Sequence, residues 1–100
     1  MSSGMGLTER ELNLICGVLR RHAEVAGALL FGSRAKGTAS PFSDVDIALL
    51  GVGDPLLAES IAGELDELPL PYQFDVKAFS AIQHRPLREH IQQVGVKIYG

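Results

Sequence analysis

A small mixed β-sheet flanked by helices, an α/β (α+β) domain, is what this 100-residue chain predicts. Three observations carry that expectation. A capped amphipathic helix opens the chain, two short apolar strands enclose a polar glycine-containing segment, and a helical crossover leads into a third, alternating strand. With 46% apolar and 21% charged residues and a net charge of -3, the chain suffices for one core and leaves no room for a second substrate domain. The slightly acidic balance lacks the basic footprint with which nucleic-acid binders neutralise phosphates, so an RNA or DNA substrate is disfavoured. Cys16 is the single cysteine and cannot form an internal disulfide. No segment approaches the roughly 18 consecutive apolar residues of a membrane span, and none resembles a signal peptide, so the cytoplasm is the expected compartment. Residues 1–6 are small, Gly/Ser-rich and without periodicity; they are expected to be a disordered start or an appended remnant, with the domain running over 7–100.

Each element has a local cause. Thr8 and Glu11 form a capping box, with Leu7 and Leu12 placed to staple it, so a helix starts at Glu9. Leu12, Ile15, Cys16 and Leu19 recur at helical spacing and put the cysteine on the buried stripe, and the helix fades near His22. Residues 25–31 are short, apolar and closed by Gly32, which reads as a first strand. A short helical turn is expected over 33–39, entered at Ser33 and stopped by Gly37, before a second strand over 44–50. Asp54 then caps a helix with Pro55 at its first position and an apolar stripe of Leu56, Leu57, Ile61, Leu65 and Leu68, ended by Pro69 and Pro71. A third strand over 73–79 sets Phe74, Val76 and Ala78 on one face and Asp75, Lys77 and Phe79 on the other. Ser80 is a candidate cap for a short turn. Pro86 opens a last helix lined by Leu87, Ile91 and Val94, Gly95 stops it, and 96–99 form a final short strand.

The chemistry lies in Gly32-Ser33, followed after ten intervening residues by Asp44-Val45-Asp46. On an extended strand residues i and i+2 share a face, so Asp44 and Asp46 present two carboxylates together while Val45, Ile47 and Leu49 face the core. Paired hard oxygen donors suit Mg²⁺. Glycine permits close backbone approach to a phosphate, and Ser33 offers a hydroxyl and an N–H at a helix start, where partial positive charge favours anions. For the loop and the aspartates to meet on one ligand, the first two strands must be antiparallel. A helical crossover makes the third strand parallel to the second, which brings Asp75 to the same end. The site is expected at a sheet edge, not in a deep cavity. An isolated pair of alternating aspartates is ordinarily a solvated or capping pair; the Gly-Ser turn at this spacing reverses that reading. His22, His84 and His90 lack metal-ligand spacing, and Arg85, Arg88 and Lys97 read as surface charge.

These residues resemble the nucleotidyltransferase superfamily typified by DNA polymerase beta, and more closely its smallest members, the minimal nucleotidyltransferases (MNT). The match is Gly32-Ser33, ten residues, then Asp44-Val45-Asp46; Arg34-Ala35-Lys36-Gly37 is similar to the R-A-R-G common after the Gly-Ser, and Phe74-Asp75-Val76 looks like the later strand with the third carboxylate. Ile47-Ala48, where many relatives carry bulkier aliphatics, is a mild departure that affects local packing only. The resemblance implies transfer of a nucleoside monophosphate from a triphosphate to a hydroxyl, with pyrophosphate leaving. It implies Asp44 and Asp46 as ligands of two Mg²⁺ ions, Asp75 as ligand of one of them and acceptor of the hydroxyl proton, and Gly32, Ser33, Arg34 and Lys36 as contacts of the triphosphate. Minimal members are typically paired with a small helical HEPN-domain RNase toxin, so the resemblance further implies an antitoxin that adenylylates a tyrosine of that partner with ATP. Two alternatives stand beside it: neutralisation of the partner by binding alone, and nucleotidyl transfer to a small molecule or RNA.

Overall fold

The computed structural model describes residues 7–32 and 44–100; residues 1–6 and the turn expected over 33–39 lie outside the described residues. The elements are α1 (Glu9–Leu19), β1 (Gly27–Phe31), β2 (Val45–Leu50), α2 (Pro55–Asp66), β3 (Phe74–Ala78), a 3₁₀ turn (Phe79–Ala81), α3 (Arg85–Val94) and β4 (Val96–Tyr99). The strands form one sheet in the order β3-β2-β1-β4. β1 is antiparallel to both β2 and β4, and β2 is parallel to β3, so the sheet is mixed as expected.

Helix ends follow the local chemistry. Thr8 accepts from the Glu11 backbone N–H at 3.1 Å while Glu11 accepts from that of Thr8 at 2.8 Å, completing the capping box above a fully buried Leu7. At α2 the Asp54 carboxylate accepts from the Leu56 N–H at 2.9 Å. α3 stops at Gly95, where a Cβ would overlap the Ile91 carbonyl oxygen, the acceptor of the Gly95 N–H.

Two layers of side chains then part company across the sheet. Ala28 and Leu30 of β1, Val45, Ile47 and Leu49 of β2, and Phe74, Val76 and Ala78 of β3 pack on Ile15, Val18 and Leu19 of α1 and on Ala58, Ile61 and Leu65 of α2. This is the main core, in which each fully buried aliphatic contributes roughly 1.5–3 kcal/mol. The opposite face carries Leu29, Phe31 and Ala48 against Ile91 and Leu87 of α3. Period-two alternation along each strand produces both layers at once. Cys16 belongs to the structure, not to a site: its thiol donates to the Ile98 carbonyl at 3.1 Å, and burial pushes its pKa up.

Three local expectations need correction. Leu56 is 70% exposed and outside the α2 stripe, because Ala58, Ile61 and Leu65 set the buried direction and Leu56 sits on the far side of the helix. Ser80 caps nothing; its hydroxyl donates to the Val52 carbonyl at 3.0 Å and ties the 3₁₀ turn to the segment after β2. Arg88 is more than surface charge, since one guanidinium nitrogen donates to the carbonyls of Phe79 and Ile82 at 2.9 and 3.0 Å and the group lies 4.5 Å from the Phe79 ring centre. Among the described residues no helix is long and apolar enough to cross a membrane.

Candidate active site

The strand register assembles the predicted carboxylates. Phe31, the last residue of β1, pairs with Asp46, and Asp46 pairs in parallel with Asp75, so the end of β1 and the starts of β2 and β3 lie side by side. Adjacent strands run about 4.8 Å apart. The two aspartates share the face opposite the main core, because Val45, Ile47, Phe74 and Val76 are committed to that core. Asp44 stands just before β2, two residues from Asp46, and is exposed; Asp46 is half-buried and Asp75 exposed.

Proximity has an electrostatic consequence. The Asp46 carboxyl is held above its ordinary pKa, first by burial and then by the negative charges of Asp75 and Asp44, with the Lys77 ammonium pulling the other way. Lys77 Nζ lies 3.4 Å from Asp75 Oδ1. Gly32 completes the corner. Its φ is +78°, a left-handed conformation that suits glycine, and a Cβ there would overlap Asp46 Oδ2. The chain therefore needs glycine at 32 for two reasons, backbone conformation and contact with the carboxylate.

Three carboxylates at one corner, with the Asp46 pKa raised by burial and then by the charges of Asp75 and Asp44, make a donor set that a hard divalent cation fits: added positive charge offsets the repulsion at Asp46. As they stand, no three His, Cys, Asp or Glu side chains among the described residues close around a single point. Asp75 Oδ1 is engaged by Lys77, so a cation ligated by Asp75 would have that ammonium as a close neighbour. Asp44 and Asp75 are both exposed. A groove of about 360 Å³ does lie nearby, between the starts of α2 and α3 along β3, but Lys77 lines it and none of the three aspartates does.

Gly32, Asp44, Asp46 and Asp75 are thus brought to one corner, whereas Ser33, Arg34 and Lys36 lie outside the described residues. Sequence reasoning placed Lys77 on the same strand face as Asp75 but did not count it as part of the site. Away from this corner, Glu64 of α2 accepts from His22 at 2.6 Å and ties the segment after α1 to α2.

The comparisons agree with this geometry. The sequence family described as Polymerase beta, Nucleotidyltransferase matches residues 13–100. Among solved structures, the chain is similar to one in a crystal structure of a toxin-antitoxin with AMP-PNP, with 26% identity and a TM-score of 0.76 over 89% of this chain and 73% of that chain. The fold is shared with a chain of a tri-AMPylated Shewanella oneidensis HEPN toxin in complex with MNT antitoxin, at 22% identity and a TM-score of 0.72, covering 94% of this chain and 73% of that one. It is shared too with a chain of the toxin-antitoxin MntA-HepT, at 22% identity and a TM-score of 0.70, covering 92% and 72%. No curated protein sequence matches. The strand order, the acidic corner and the sequence match lead to one conclusion: the chain belongs to the polymerase beta nucleotidyltransferase family.

Proposed function

We propose that residues 7–100 form a minimal nucleotidyltransferase domain that transfers AMP from ATP to a hydroxyl, a tyrosine of a partner HEPN toxin, and acts in the cytoplasm as that toxin's antitoxin. The observation that carries the reading is the pairing of Asp46 with Asp75 beside Gly32, which joins a carboxylate from each of two strands to the glycine that follows β1. Similarity to a chain from a toxin-antitoxin structure with AMP-PNP supports the donor, and the fold shared with a complex of an AMPylated HEPN toxin supports the acceptor.

In this reading Asp44, Asp46 and Asp75 hold two Mg²⁺ ions, which when bound supply the charge that stabilises the attacking and leaving oxygens. Gly32 lets the backbone approach the phosphates, and Ser33, Arg34 and Lys36 bind them through a hydroxyl, N–H groups and positive charge. Asp75, exposed on the outer strand β3, faces the incoming acceptor and takes its proton. The acceptor oxygen forms its bond to the α-phosphorus as the bond to the bridging oxygen breaks, and pyrophosphate departs with that electron pair.

Incubation of the chain with its partner toxin, ATP and Mg²⁺, followed by intact-mass analysis, tests this. A mass increase of one or more AMP groups on the toxin, absent with Asp46→Ala, is expected. A stable, neutralised and unmodified complex would instead establish the binding-only antitoxin.

A further inference from the structure

Lys77 has no part in the reaction as just described, yet it stands inside the acidic corner. It follows Asp75 by two residues on β3 and so shares its face. Its Nζ is 3.4 Å from Asp75 Oδ1, with side-chain exposures of 41% and 50%. An isolated pair this exposed stabilises a fold little. This pair is not isolated: Asp75 is the register neighbour of Asp46, and Asp44 precedes Asp46 by two residues. Among the described residues, Lys77 is the one cation whose charge opposes the crowding of carboxylates around Asp46. Among the described residues, three carboxylates against one ammonium leave a surplus of negative charge. An entering divalent cation meets an Asp75 that already has a partner.

We infer that Lys77 is a positioning residue whose ammonium is the resident counter-charge of this corner, holding Asp75 when no cation is bound and competing with a divalent cation for it. The inference rests on the reading of Asp44, Asp46 and Asp75 as cation ligands. Its consequence is a site that binds its cation less tightly than the carboxylates alone would. A unit charge about 6 Å from a divalent ion in a water-exposed site weakens binding by a factor on the order of ten, and by less once salt screens it.

The test is calorimetric titration of Mg²⁺ into the wild-type chain, Lys77→Met and Lys77→Arg at low ionic strength, with the Tm of each in metal-free and Mg²⁺-saturated buffer. Lys77→Met should bind Mg²⁺ about threefold to tenfold more tightly, with a smaller gain in high salt, while Lys77→Arg should match the wild type. Metal-free Lys77→Met should melt below the wild type, and the gap should close on saturation. Lys77→Gln is the second neutral variant if the methionine substitution does not fold. Equal or weaker Mg²⁺ binding by the neutral variants overturns the inference alone. A wild-type chain that takes up no Mg²⁺ overturns the reading of the carboxylates, and the inference with it.

Discussion

The sheet face beneath α1 and α2 presents Leu30, Ile47 and Leu49 with no exposed surface, whereas the face beneath α3 sets Phe31 and Ala48 beside Asp46, Asp75 and Lys77. Both faces come from the same three strands. Residues 45–49 alternate between them one by one, so the side chain before a core residue belongs to the candidate site. A shift of register by one residue would exchange the faces, burying the carboxylates and exposing the aliphatics. The core therefore does more than stabilise: by fixing the register it fixes which carboxylates meet.

Neighbouring substitutions separate the two roles. Asp46→Ala should lower nucleotidyl transfer by about a thousandfold or more, since in the proposed mechanism it removes a ligand of the charge-stabilising centre while leaving the fold intact; single-turnover assays with circular dichroism check both halves. Ile47→Ala, one residue on, should do the reverse. Chemical denaturation should show a loss of about 2–5 kcal/mol, with transfer by the folded fraction within a few-fold of wild type. If Ile47→Ala abolishes transfer in a fully folded protein, the division between faces is wrong.

Gly32→Ala ranks next and acts on both properties. The positive φ costs about 1–2 kcal/mol for a residue with a Cβ, and overlap with Asp46 Oδ2 displaces the carboxylate. Transfer should fall further than stability, measurable as a larger loss in turnover than denaturation alone explains.

The smallest effect concerns Asp46 without metal. Its pKa is raised in the folded state, by burial first and by Asp75 and Asp44 next, so its ionisation opposes folding. The protonated form's advantage is complete below the ordinary carboxylate pKa and disappears as pH rises through the raised value. Metal-free Asp46→Asn should therefore be more stable than wild type at neutral pH, by less than about 1 kcal/mol after solvent screening, or at most several degrees of Tm. The difference should vanish in acid. A destabilised Asp46→Asn at neutral pH would contradict the repulsion.

Much of this was legible in the sequence because the signals were local. Thr8 with Glu11, Asp54 with Pro55, and the alternation of Phe74, Val76 and Ala78 each act within one turn or one strand, and all appear in the structure. Asp44, Asp46 and Asp75 could be joined in advance because the helical crossover makes β3 parallel to β2, one shared ligand requires β1 and β2 to be antiparallel, and the family resemblance marks Asp75 as the third carboxylate. What escaped depends on neighbours distant in sequence or on geometry the pattern leaves open. Leu56 fits an apolar stripe until Ala58, Ile61 and Leu65 fix the buried direction of α2. Arg88 looks like any surface cation until the chain folds back on the Phe79 and Ile82 carbonyls, and Lys77 gains meaning only when β3 sits beside β2.

The central claim, that this half-open face transfers a nucleotide to a partner hydroxyl, is tested most directly by the fate of labelled ATP in the presence of Mg²⁺ and the partner toxin. Label on the α-phosphate should be found on the toxin, with Asp46 and Asp75 both required, while label on the γ-phosphate should leave with pyrophosphate. Transfer of the γ-label, or α-label on the toxin with Asp46→Ala as readily as with wild type, would contradict it.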